Sequence, residues 1–513
     1  ANTEGDYNTA VGKAALDANT TADGNTAMGN AALGSNTTAS NNTAIGNSAL
    51  SSNTTGTSLT AVGKSAMSSN TTGSNNCAFG MENLSSNTTG EENVAIGGNN
   101  VLASNTTGNG NVGVGNQALM ANTTASNNTA IGKYALTSNT TGSRNTAMGS
   151  GDALGANTTG IRNAAFGDSS MYTNTTGASN TAVGYASLAL NTTGADNVAV
   201  GANALDANTT AANNTAIGRN TLTTNTTGAS NTGLGSHALG ANTTGSNNVA
   251  TGVNSLVTNT TGSSNTAYGN GSLQANQTSS NNTGLGYNAL TANTTGVGNT
   301  SVGKGAGQGI TTGNYNTCIG ELAGANTTNT TTGTKNIFIG NYAHGSGVDV
   351  SFEHVIGYNI VGNGTKTFTF GENNVDSSIA FGGTSISQPS DERMKEEITT
   401  SIAGLSFVND LRPVTFKWKK EKDIPNTLRG YVEDSETRFK TDTTEHGFIA
   451  QEVKTTIDAH SEIKDGFDMW SESPTDGRQR VADGALVPML VKAIQELSTK
   501  NDALVARITA LEG

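Results

Sequence analysis

Through residue 340, apolar side chains fall in a pattern that repeats every 17 residues. Each period opens with a small residue beside a large one, as in Ala10-Val11, Ala27-Met28, Ala44-Ile45 and Ala95-Ile96. The pair sits inside Asn-Thr-Ala-(large apolar)-Gly. That motif closes twenty times, first at Gly12 and last at Gly340, with two steps of 18 residues and a last step of 20. A second apolar anchor follows at Leu16, Leu33, Leu50, Met67 and Leu84, and Asn-Thr-Thr-Gly segments form the corners. Successive residues of a strand face opposite sides. The motif therefore predicts a short strand with two apolar faces, one tight and one roomy. Recurrent Gly, frequent β-branched residues and the lack of a 3.6 period exclude helix.

The predicted fold is mostly β: a parallel β-solenoid of about 20 coils. With coils about 4.8 Å apart, the stack would be a rod on the order of 95 Å long. Identical residues would form ladders, including Asn19, Asn36, Asn53 and Asn70, whose amides bond along the stack. A 17-residue coil encloses one layer of small side chains. The second apolar face is expected to be covered by a partner chain. Asn2 and Asn19 are already 17 apart, so the chain is expected to be a fragment or a processed product.

Composition agrees with a repetitive fold. Of 513 residues only 13% are charged and 5% aromatic, with 66 Gly, which excludes a conventional core throughout. Collagen is excluded by 5 Pro and no Gly-X-Y period. No long apolar run predicts membrane insertion, and no secretory signal opens the chain. A net charge of −13 disfavours nucleic acid. Cys77 and Cys318 have no metal-ligand spacing and lie about 14 coils apart, too far to bridge, so neither metal nor cofactor is expected. Charge is uneven: residues 1–350 hold 8 Lys or Arg and 13 Asp or Glu, whereas residues 351–513 hold 18 and 26. Two kinds of structure are joined.

Several repeat features imitate function. Gly298-Asn-Thr-Ser-Val-Gly303-Lys304 approaches a phosphate-binding loop, but Gly305 stands where Ser or Thr must hold Mg²⁺. Asn-x-Thr sequons such as Asn19-Thr20-Thr21 read as turns rather than glycosylation sites. The Thr20-Thr21, Thr37-Thr38 and Thr54-Thr55 ladders suggest an ice- or glycan-binding face, a weaker alternative. The scattered acids Glu82, Glu91, Glu92, Asp152 and Asp168 do not form the carboxylate pairs of a glycosidase.

These repeats resemble the heads of trimeric autotransporter adhesins (YadA-like), which form trimeric β-rolls with somewhat shorter coils. Beyond the repeats, His354–Phe381 alternates apolar and polar side chains, as in Thr365–Phe370, and predicts a β-rich neck over 346–389 after a solenoid spanning 1–345. Four blocks then follow: Pro389-Ser390-Asp391-Glu392-Arg393-Met394-Lys395-Glu396-Glu397-Ile398, Leu411–Trp418, His446–Val453 and Leu486–Leu497. In this order they resemble the intramolecular chaperone of endosialidase-type phage tailspikes, a self-cleaving serine peptidase family. Residue 483 departs from it, being Asp where the family often has an aromatic.

The resemblance implies that 390–513 is an α+β domain that trimerises, templates the shaft and cuts itself off between Pro389 and Ser390. Ser390 and Lys395 match the family's catalytic Ser and Lys. The chemistry is intelligible: a serine hydroxyl needs an adjacent base, and lysine serves only when burial leaves it neutral. His446 is the rival base, read as structural. Residues 484–512 predict a coiled-coil helix, with Leu490, Leu497, Leu504 and Leu511 seven apart and Ile494, Asn501 and Ile508 between them. Heptad rules alone lean towards a dimer for this seam; the resemblance implies a homotrimer.

The expected function is a structural fibre of a phage tail, or an extracellular adhesin, with a host receptor or glycan as candidate partner. A bacterial trimeric adhesin is the alternative. That class ends in a membrane β-barrel, whereas a soluble coiled coil is expected here.

Overall fold

The computed structural model describes residues 2–325, 331–373, 375–383, 390–428, 430–463, 467–473 and 477–512. The chain divides into two compact units, Ala1–Pro389 and Ser390–Gly513.

The first unit is a β-solenoid. Twenty strands, from β1 (Thr9–Val11) to β20 (Ile337–Ile339), pair in parallel with the strand one period on. Register is kept residue for residue, as in Thr26↔Thr43, Ala27↔Ala44 and Met28↔Ile45. The sheet runs on into the segment expected as a neck. There β21 (His354–Tyr358) pairs in parallel with β20, and β22 (Thr367–Glu372) pairs in parallel with β21. The antiparallel strand β23 (Val375–Ala380) closes it.

The strand triplet sorts by size, as the pattern predicts. The middle Ala is fully buried, as at Ala27, Ala44 and Ala61, and packs against Leu33, Leu50 and Met67. The large residue of the triplet points outward. Met28, Ile45, Phe79, Ile96, Ile131 and Ile217 are all exposed in the single chain.

Gly46 ends its strand at φ +138°, and a Cβ there would lie 2.4 Å from the carbonyl oxygen of Gly63 in the next coil. Only glycine permits stacking at that corner. One 18-residue period is absorbed by a single extra glycine, Gly98, where the pairing of β5 (Cys77–Met81) with β6 (Val94–Asn99) shifts register between Phe79 and Met81.

Two buried asparagine ladders run through the coils. The predicted one includes Asn36, Asn53 and Asn70: Asn53 Nδ2 donates to Asn36 Oδ1 and to Gly56 O, both at 2.9 Å. The second, not predicted, is formed by the Asn before each strand. Asn42 N donates to Asn25 Oδ1 at 2.9 Å, and Asn42 Nδ2 donates to Gly56 O at 3.0 Å. At the end of this column Glu353 replaces Asn. Its buried carboxylate accepts from Ser346 N at 3.0 Å and Gly364 N at 2.7 Å.

The same bonds explain the decoys. Asn19 is buried, with Nδ2 donating to Asn2 Oδ1 and Ala22 O, so the folded sequon has no free amide for a sugar. Thr20 Oγ1 donates to Thr37 O at 3.1 Å, which ties that hydroxyl into the stack. Lys304 pairs with Glu321 of the next coil at 3.0 Å. Both cysteines are free.

The second unit is α+β. Helix α1 (Leu405–Asp410) and helix α2 (Ala450–Ala459) pack around a core of Ala403, Phe407, Leu411, Val453, Ile457, Ile463, Met469 and Leu486. Two ribbons flank it: β24 (Val414–Phe416) with β25 (Glu445–Gly447), and β26 (Trp470–Glu472) with β27 (Gln479–Val481). The last helix, α3 (Val487–Glu512), has 26 residues, with Pro488 in its first turn, where no backbone donor is lost. Glu496 of α3 accepts from Leu405 N at 2.9 Å and so caps α1. The heptad positions Leu490, Ile494, Leu497, Leu504, Ile508 and Leu511 are exposed in the single chain. No helix among the described residues is long and apolar enough to cross a membrane.

Candidate functional site

The second unit begins with the residues that carry the expected chemistry. Ser390 is followed by Asp391, whose backbone is extended at φ −73° and ψ 133°. One 3₁₀ turn, Glu392–Met394, follows, and the chain leaves it extended again at Lys395. Met394 N donates to Asp391 O at 3.1 Å, and Lys395 N donates to Glu392 O at 3.0 Å. A single turn between two extended residues returns the chain on itself. Lys395 Nζ thereby reaches Ser390 Oγ and donates to it at 2.7 Å. Ser390 and Lys395 are both exposed in the single chain. Pro389 lies outside the described residues.

Asp391 is the residue around which the turn closes. Its Oδ1 accepts from Arg393 N at 2.9 Å and from Arg393 Nε at 3.0 Å. These bonds hold its carboxyl below the usual carboxylate range, the guanidinium contributing most and the backbone N–H next.

His446 stands on β25 opposite Thr415, with its side chain exposed. Another histidine, which the sequence reading did not single out, is the more constrained. His460 caps the C-terminus of α2 and is almost fully buried. Its Nδ1 lies 2.8 Å from Glu462 Oε1 and its Nε2 lies 2.9 Å from Asp410 Oδ2 at the end of α1. Phe407 packs edge-on to the ring, with centroids 5.4 Å apart. The two carboxylates raise its pKa, Glu462 more than Asp410. The blocks are also tied by Arg412 Nε, which donates to Glu452 Oε2 at 2.9 Å. Among the described residues no three His, Cys, Asp or Glu side chains group as metal ligands.

The Ser390–Lys395 turn thus opens an α+β unit that follows a stacked β-solenoid in the chain. Residues 390–461 match the model of the chaperone of endosialidase family. The match includes the first block from Ser390 onward and the next two whole; Leu486–Leu497 lies beyond it. No curated protein and no solved structure matches the chain. A self-cleaving intramolecular chaperone is the activity of the matched family, and the solenoid with this module supports a tail-fibre or tailspike-like structural role.

Proposed function

We propose that the chain is the shaft of a homotrimeric phage tail fibre, folded by residues 390–513, which then release themselves by cutting between Pro389 and Ser390. The observation that carries this reading is the 2.7 Å contact of Lys395 Nζ with Ser390 Oγ in the segment that matches the chaperone family. Trimerisation is supported by two apolar surfaces left open in the single chain, the outward strand residues and the α3 seam. A host receptor or glycan is the partner such a shaft would present itself to.

The chemistry follows from covalent order. Ser390 Oγ adds to the carbonyl carbon of Pro389, the residue immediately before it. Neutral Lys395 takes the hydroxyl proton and delivers it to the departing Ser390 nitrogen. The acyl group then sits as an ester on Oγ, and water hydrolyses it to a Pro389 carboxylate and free Ser390. Holding nucleophile and carbonyl on adjacent residues can be worth about 7–11 kcal/mol of barrier.

The test is the mass of the purified chain. The parent should yield fragments 1–389 and 390–513, and Ser390→Ala and Lys395→Ala should each remain full length yet trimeric. Cleavage of Ser390→Ala at the same bond would make His446 or an external protease the agent instead.

A further inference from the structure

The turn between Ser390 and Lys395 has no buried residue. Among the described residues of the single chain no core side chain holds its shape, and a helical segment this short is not stable by itself. In the single chain its geometry rests on its own polar bonds. Apart from the two backbone bonds that close the turn and the Lys395–Ser390 contact itself, these converge on Asp391, whose carboxylate takes both the backbone N–H and the guanidinium of Arg393. Resting on the Ser390–Lys395 reading, we infer that Asp391, clamped by Arg393, is a positioning residue for self-cleavage. It fixes the one turn that carries the Lys395 amine back onto the Ser390 hydroxyl.

The bonding explains why these residue types stand at these positions. A carboxylate at the N-cap accepts the N–H two residues on, which a 3₁₀ turn leaves free. An arginine there is long enough to close on the same carboxylate from its side chain, with Nε 3.0 Å from Oδ1 and 3.2 Å from Oδ2. Without the clamp, the six-residue segment from Ser390 to Lys395 is released towards extended conformations, in which the ends separate by roughly 3.3 Å per residue. Lys395 would then leave Ser390.

The experiment follows single-turnover cleavage of the full chain by mass, with assembly monitored in parallel by light scattering. Asp391→Ala should assemble like the parent and cleave more slowly, by about tenfold, the scale of a lost N-cap. Asp391→Asn and Asp391→Ser, which still accept the Arg393 N–H, should regain most of the rate. The inference is overturned if Asp391→Ala cleaves at the parent rate. It is equally overturned if the Asn and Ser variants are as slow as Ala, or if the Ala variant is slow only because it fails to assemble. Ser390→Ala, run beside them, separates the two readings: its cleavage would remove the dyad, whereas its stability beside a fast Asp391→Ala removes only the clamp.

Discussion

At the scale of single residues, the solenoid is specified by what cannot be placed at its corners. Gly46 combines φ +138° with a neighbouring carbonyl 2.4 Å from where a Cβ would stand. Gly98 lies in the same stack, yet a Cβ there would meet nothing within 4 Å and its φ is unstrained. Gly46→Ala should therefore destabilise its coils by about 2–3 kcal/mol, a strained φ with the clash added, and Gly98→Ala by less than about 0.5 kcal/mol. Hydrogen exchange at the amides of the adjacent strands would measure the difference, and equal protection in the two variants would refute it. The corner glycine was legible in the sequence because it recurs with the period. The second asparagine ladder was equally periodic, since Asn25, Asn42 and Asn76 precede their strands. It was missed because an Asn beside a strand reads as a turn residue, and only the closed coil shows that its side chain points inward.

At the scale of elements, the second unit joins helices through a charge that local spacing could not reveal. Asp410 and His460 are 50 residues apart and meet only because α1 and α2 pack together. Both ring nitrogens of His460 face carboxylates, which only accept, so both bonds require the doubly protonated ring. Its pKa is accordingly raised, Glu462 contributing more than Asp410. Relative to an unfolded value of about 6.5, this stabilisation is fully present below that pH and is lost as pH rises through the higher folded value. Both tryptophans, Trp418 and Trp470, lie in this unit and report its unfolding. Their fluorescence in the uncleaved Ser390→Ala chain should give a higher urea midpoint near about pH 6 than near about pH 9. His460→Gln should flatten that dependence; an unchanged slope would assign it to other groups. The Ser390–Lys395 pair, by contrast, was singled out through the four-block resemblance, since a lone Ser and Lys five apart ordinarily read as solvated surface.

At the scale of the whole molecule, apolar surface remains uncovered in both units. The strand residues Met28, Ile45, Phe79 and Ile96 face outward along the solenoid, and Leu490, Ile494, Leu497, Leu504, Ile508 and Leu511 face outward along α3. Apolar residues aligned in this way are what the proposed trimer would cover. Assembly also bears on the chemistry. A lysine takes up a proton only from its neutral form, and burial, which disfavours the ammonium, is what leaves a lysine neutral near pH 7. Lys395 is exposed in the single chain, so the proposed self-cleavage calls for partner chains to cover it. Cleavage should then follow assembly and report it, and the released shaft would persist kinetically because its template is gone. A chain carrying Leu497→Asp and Leu504→Asp, which puts like charges into the seam, should fail to trimerise and remain uncleaved. Mass and light scattering on the same sample decide it. A monomeric double variant that still yields fragments 1–389 and 390–513 at the parent rate would show that the single chain suffices to activate Lys395.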